Sequence, residues 1–134
     1  VTDVWGILMR REDPLAAKSA ITRDDLKGVP LLHSRHALSR GNVLDWFGKS
    51  ADLNIVATFN LLYNAALMAK AGMGVVLSID KIYNVTGESE LCFRPLAPRL
   101  ESHLSLVWKK YQVFSGAAQI FLKHLQEKLQ TSGV

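Results

Sequence analysis

Four short apolar, β-prone segments recur along this chain, and the gaps between the last three carry helical spacing; this alternation constrains the fold more than any other feature. Val4–Met9 (VWGILM) reads as a buried strand, bounded by the charged cluster Arg10–Asp13 and ended by Pro14. Pro30–Leu32, Leu53–Ala57 (LNIVA) and Val75–Leu77 (VVL) are the other three. Val75–Leu77 is apolar without alternation, as parallel strands covered on both faces tend to be. Between the second and third segments, Arg40–Ser50 sets Val43, Leu44, Trp46 and Phe47 at amphipathic helical spacing. Between the third and fourth, Leu61–Ala71 is apolar nearly all round and predicts a largely buried helix, with Asn60 as its cap and Gly72 closing it. A strand–helix–strand–helix–strand order implies an α/β fold with parallel strands joined by right-handed crossovers.

The flanking segments are less regular. Leu15–Leu26 mixes apolar and charged residues and predicts at most a short helix, with Thr22 as a cap and acids in its first turn. Ser78–Asn84 reads as one or two helical turns, and Thr86–Ser89 as an exposed turn. Leu91–Leu96 (LCFRPL) reads as an edge strand, because Pro95 has no N–H for a central ladder. Pro98–Glu101 connects it to His103–Trp108, which is β-prone and partly alternating. From Ser115 a last helix is expected, with Ala118, Phe121, Leu122, Leu125 and Leu129 on one face.

With 134 residues the chain is about one domain in size. Its longest apolar stretch, Ala65–Leu77, is broken by Lys70, Gly72 and Gly74, short of the roughly 18 residues a membrane span needs. The net charge of +4 raises the question of nucleic acid, but the basic residues are scattered in ones and twos with no interleaved aromatics. Direct contact with nucleic acid is therefore not expected of these residues. Cys92 is the single cysteine, which excludes an internal disulfide and fits a reducing compartment, here the cytoplasm. The first residues carry neither a basic n-region nor a long apolar h-region, so no export signal is expected there. The start at a strand-like segment without methionine is expected of a fragment or a processed chain.

In open α/β sheets, ligands gather beyond the carboxyl ends of the strands. Three polar groups are placed there: His33, Ser34, Arg35 and His36 after the second segment; Thr58 and Asn60 after the third; and Ser78 after the fourth. Hydroxyls, amides and a guanidinium in that position suit a small anionic ligand, although each residue alone also suits a local loop cap. A metal is not expected: His33 and His36 lack further ligands at a recognisable spacing. No G-x-S-x-G elbow and no paired acid and base point to an enzyme. Gly72-Met73-Gly74 closes a helix instead of opening one, so it is no dinucleotide fingerprint, and no cofactor is expected. Cys92 lies within an apolar strand and reads as a small core residue.

Three stretches taken together resemble the LysR-type transcriptional regulators. Asp13-Pro14-Leu15-Ala16, followed by Ile21, Asp25-Leu26, Gly28 and Pro30-Leu31-Leu32, is similar to the family's "HPLA … DL.G.PLI", with Asp13 where histidine is frequent. Ala69–Val75 is similar to "V.AG.G(I/V)". Phe93–Leu96, Leu106–Lys110, Ser115, Ala117-Ala118 and Phe121-Leu122 look like the closing strand pair and last helix. Ser78 departs from the proline usual there, which alters a local turn.

The resemblance implies a periplasmic-binding-protein-like (type 2) effector domain, with one complete lobe and part of the other in this chain. Residues 1–13 would end lobe one, 14–26 cross over, 27–97 form lobe two, and 98–134 return to lobe one. It implies a small-molecule effector between the lobes, and DNA binding only through an N-terminal winged helix-turn-helix outside these residues. It also implies a homo-oligomer, dimer or tetramer, in which the Arg40–Ser50 helix would offer Trp46 or Phe47 as an anchor unless they lie in the core. A periplasmic solute-binding protein of a transport system shares the fold and is the alternative.

Overall fold

The computed structural model describes residues 2–37, 41–48, 53–103 and 105–131. The chain divides into two compact units, Asp3–Ser102 and a smaller one of Val1–Thr2 with His103–Val134. The larger begins with β1 (Thr2–Arg10), a 3-10 turn at Pro14–Ala17, β2 (Ile21–Thr22), a second 3-10 turn at Asp24–Leu26, and β3 (Pro30–Ser34). There follow α1 (Gly41–Phe47), β4 (Asn54–Phe59), α2 (Leu62–Lys70), β5 (Val75–Ile79), β6 (Leu91–Ala97) and β7 (Glu101–His103).

The sheet runs β2-β6-β1-β5-β3-β4, and β7 pairs with β1. β3, β4 and β5 are mutually parallel, as expected of strands linked through helices. β1 is antiparallel to both of its long neighbours, β5 and β6. No short crossover ties β1 to the strand beside it, so its direction is not set by that rule. β1 also sits inside the sheet that holds β3–β5. Residues 13, 26 and 97 all fall within the compact unit Asp3–Ser102.

Alternate residues of the strands feed two cores. Ile7, Met9, Leu31, Val75 and Leu77 pack on the α1 side with Val43 and Phe47. Leu8, Leu32 and Val76 pack on the α2 side with Phe59, Ala65, Ala66 and Ala69. The sequence bears this out where a strand is covered on both faces: β5 is buried from Val75 through Ser78.

Several local expectations are corrected. α2 is only half-buried: its alanines face the sheet, while Leu61, Tyr63 and Leu67 are 65%, 62% and 65% exposed. Small side chains let the helix lie close to β4 and β5, which turns the large ones outward. Asn60 does not cap α2; the cap position is Leu61, with no side-chain hydrogen bond. Ser78–Asn84 forms no helix, since Ser78 and Ile79 continue β5 and a turn follows. β6 is not an outer strand: β2 pairs with it at Leu96 and Ala97 only, which leaves the stretch holding Pro95 without a partner on that side. α1 is shorter than its predicted span, whose Arg40, Lys49 and Ser50 lie outside the described residues.

In the smaller unit, α3 (Gly116–Thr131) begins where Ser115 Oγ accepts the Ala118 N–H at 3.3 Å. Ala118, Leu122 and Leu125 are half-buried, whereas Phe121 and Leu129 of the expected face are exposed. Residues 105–109 have no regular structure, so the strand expected at His103–Trp108 reduces to the end of β7.

Candidate functional site

The parallel run of β3, β4 and β5 brings their carboxyl ends to one end of the sheet. His33 stands opposite Thr58 on one side and Leu77 on the other, and Ser34 opposite Phe59. The Arg35 N–H donates to the Phe59 carbonyl at 3.0 Å, and the Ala37 N–H to that of Ser34 at 3.0 Å, which turns the chain away from the sheet. The predicted residues His33–His36, Thr58, Asn60 and Ser78 thus share one end of three adjacent strands.

They do not share one face. Leu31 and Leu77 pack on the α1 side and Leu32 and Val76 on the α2 side. Strand alternation continues this pattern to the ends: His33 belongs to the α1 face, Ser34 and Ser78 to the α2 face. Ala57 and Phe59 join the α2 core, so Thr58 accompanies His33.

Two of the predicted residues are turned inward and satisfied locally. His33 is 7% exposed, and its Nδ1 lies 2.7 Å from the Ser34 carbonyl oxygen. A carbonyl only accepts, so Nδ1 is the donor in this contact. Ser78 is 6% exposed, and its hydroxyl donates to the Ile79 carbonyl at 3.0 Å. Arg35, His36, Thr58 and Asn60 are exposed, and Ser34 is half-buried.

Arg35 differs from the other cations described in its unit. Arg10 pairs with Glu12, Lys18 with Asp25, Lys27 with Asp24, Lys70 with Glu90, Lys81 with Asp3 and Arg99 with Glu101. Arg11 donates to the carbonyls of Val85 and Ser89, Arg94 to those of Ala16 and Lys18, and Arg23 to that of Trp46. Among the described residues of Asp3–Ser102, Arg35 is the one cationic side chain with no such partner.

Trp46 and Phe47 prove to be core. They are 8% and 1% exposed, meet edge to face at 4.9 Å, and cannot serve as interface anchors in this conformation. The exposed apolar residue of α1 is Leu44.

The sequence reading missed a clamp at the end of β5. Asp80 Oδ1 accepts the Val4 N–H at 2.9 Å, and the Asp80 N–H donates to the Val4 carbonyl at 2.9 Å. Lys81, at φ 63°, reaches Asp3 at 3.1 Å and Asp80 at 3.5 Å. The hydrogen bond to Asp3 holds the Lys81 ammonium above its ordinary pKa. The one sequence signal was an acid directly after an apolar strand, which the helical reading of Ser78–Asn84 absorbed. Among the described residues no group of three or more His, Cys, Asp and Glu is placed to hold a metal ion, and no helix is long and apolar enough to cross a membrane.

The mixed sheet with a helix on each face is the periplasmic-binding-protein-like fold of LysR substrate-binding domains. The family model of the LysR substrate binding domain matches residues 1–130, and the chain belongs to that family. It is similar to HinK, a LysR family transcriptional regulator from Pseudomonas aeruginosa, with a TM-score of 0.75, 17% identity, and coverage of 96% of this chain and 46% of that one. The CcmR regulatory domain of Synechocystis PCC6803, solved in complex with 2-PG, gives a TM-score of 0.69 at 19% identity over 93% of this chain and 62% of that domain. A putative LysR family regulator, PA01 protein of Pseudomonas aeruginosa, gives 0.74 at 16% identity, over 96% of this chain and 46% of its own. These likenesses establish the fold, and the chain spans about half the length of the first two regulators of Pseudomonas aeruginosa. No curated protein matches the chain in sequence.

Proposed function

We propose that this chain is the ligand-sensing part of a LysR-type transcription regulator, holding a small anionic effector beyond the carboxyl ends of β3 and β4. The observation that carries this is Arg35: an exposed guanidinium at a strand end, without an ion pair among the described residues, beside the exposed Thr58 and Asn60. Every other described cation of its unit has a carboxylate or carbonyl partner. A guanidinium offers a planar fork that matches a carboxylate or phosphate in two hydrogen bonds. His33 and Ser78 act as supports in this reading, because both are buried and His33 Nδ1 and the Ser78 hydroxyl each meet an adjacent carbonyl.

Asp3–Ser102 is then one lobe, and the segment from His103 onward returns to the other. An effector that binds one arrangement of the lobes better than another shifts their populations, and the coupling to DNA binding is reciprocal. DNA contact belongs to a helix-turn-helix outside these residues, and the regulator works in the cytoplasm as a homo-oligomer. The role is binding, not catalysis. The family match favours this over a transport solute-binding protein, the other user of the fold.

Calorimetric titration with inorganic phosphate and with 2-PG, the compound named with the CcmR domain, tests the anion site. Arg35→Ala should weaken the tighter of the two by about tenfold, the value of a charge-assisted hydrogen bond, with an unchanged melting temperature. Unchanged affinity would remove Arg35 from the site.

A further inference from the structure

A cavity of about 530 Å³ opens on the α2 side of the sheet; neither Arg35 nor His36 lines it, and it is built wholly from residues of the larger unit. Its floor is Leu8, fully buried, with Phe93 beside it. Its walls come from the first turn of α2 and from the segment after β5, where Tyr63 and Tyr83 stand 5.3 Å apart with their rings tilted by 51°. At the rim Tyr63 and Ile82 are 62% and 47% exposed. A cavity of this size lies within the range that holds small organic molecules.

The charges in the wall cancel. Asp80 and Lys81 face each other at 3.5 Å, Lys81 also bonds to Asp3, and Asp80 accepts the Val4 N–H. The Asn84 side-chain oxygen is taken by the Thr86 N–H and hydroxyl, at 2.9 and 2.7 Å. Ser78, the residue shared with the strand-end row, donates to Ile79. An ionic ligand would therefore lose its hydration with no uncommitted opposite charge to replace it. An apolar ring would meet two phenol faces, Phe93 and Leu8, and cover exposed apolar rim.

We propose that this cavity is a second ligand site, distinct from the anion site, that takes an uncharged planar aromatic compound of one or two rings. Tyr63 is its principal contact, through the ring face and not the hydroxyl. It stands whether or not Arg35 binds an anion.

Indole serves as the probe and benzoate as its charged counterpart, in a two-dimensional amide NMR titration of the chain. Indole should give saturable shifts confined to Ser78–Thr86, the start of α2 and Phe93, and benzoate weaker ones or none. Tyr63→Ala should weaken indole by about fivefold, as loss of one aromatic contact does, and Tyr63→Phe should not. Ile82→Asp, a second exposed substitution, should weaken it likewise, and Arg35→Ala should leave it unchanged. The proposal is overturned by an absence of saturable shifts, by tighter binding of benzoate, by indifference to both Tyr63→Ala and Ile82→Asp, or by loss in Arg35→Ala.

Discussion

The indole N–H of Trp46 donates to the carbonyl oxygen of Pro98 at 2.7 Å, tying α1 to the segment that leaves β6. The same ring lies under the Arg23 guanidinium, 5.9 Å from its centroid, and against Phe47. Trp46→Phe keeps most of the apolar contact but leaves the Pro98 carbonyl without its donor. The expected loss is about 1–2 kcal/mol in urea unfolding. Trp46→Ala should cost about 3–5 kcal/mol, since it also opens a cavity. Equal stabilities of the Phe variant and the parent would show that water replaces the bond.

Gly74 and Gly28 both have positive φ, at 156° and 71°, but only one is crowded. A Cβ on Gly74 would stand 2.4 Å from the Pro30 carbonyl oxygen, at the start of the β3–β5 pairing, whereas one on Gly28 meets nothing within 4 Å. Gly28→Ala should cost about 1 kcal/mol for its backbone alone. Gly74→Ala should cost more than about 2 kcal/mol, because backbone atoms must separate. Thermal melts of the two variants side by side measure the difference, and equal costs would contradict the close approach.

Asp25 gives the fold an acid-sensitive point. Its carboxylate accepts Lys18 at 2.9 Å and both the N–H and hydroxyl of Thr22, at 2.9 and 2.8 Å. The Lys18 contact first, and the Thr22 bonds after it, lower its pKa from 3.8 to about 2. A carboxyl lowered on folding stabilises fully above its unfolded value and loses that contribution as pH falls through the folded one. Asp25→Asn should therefore be less stable than the parent by about 1 kcal/mol at neutral pH, a magnitude set by the half-exposed lysine partner. The gap should close as the pH falls from 3.8 toward about 2. A gap that persists at the acid end would mean that shape and not charge is at stake.

The legible parts of the fold are those where composition and burial coincide. Val75–Leu77 is apolar because both faces are covered, and the sequence says so directly. Ser115 announces α3 because a cap is a local device. α2 misled because an apolar helix of mixed size does not reveal which side is inside: the alanines were the buried face. β2 is two residues long, inside a stretch of mixed character expected to hold at most a short helix, so nothing in the sequence warned that β6 has a neighbour on each side. For the site, strand ends were legible because apolar runs stop there. The face each residue takes was not, because the register between β3 and β4 shifts between Leu31 and Leu32. Nor does a sequence show that His33 Nδ1 and the Ser78 hydroxyl turn to adjacent carbonyls.

The burial of Trp46 and Phe47 moves any self-association surface outward, to the edge of the sheet. β4 ends the hydrogen-bonded strand order among the described residues, and Ile55 and Val56, where its register with β3 shifts, are 42% and 44% exposed. Leu44 of α1, 50% exposed, adds to the uncovered apolar surface of this unit. An uncharged, apolar edge strand is a pairing surface unless something covers it. A complete effector domain should therefore sediment as two subunits. Val56→Lys should weaken that association by at least about tenfold, a cost expected for one lysine set against an apolar contact, while circular dichroism stays unchanged. A strict monomer before substitution would contradict the association itself, and a dimer indifferent to Val56→Lys would place its interface away from β4.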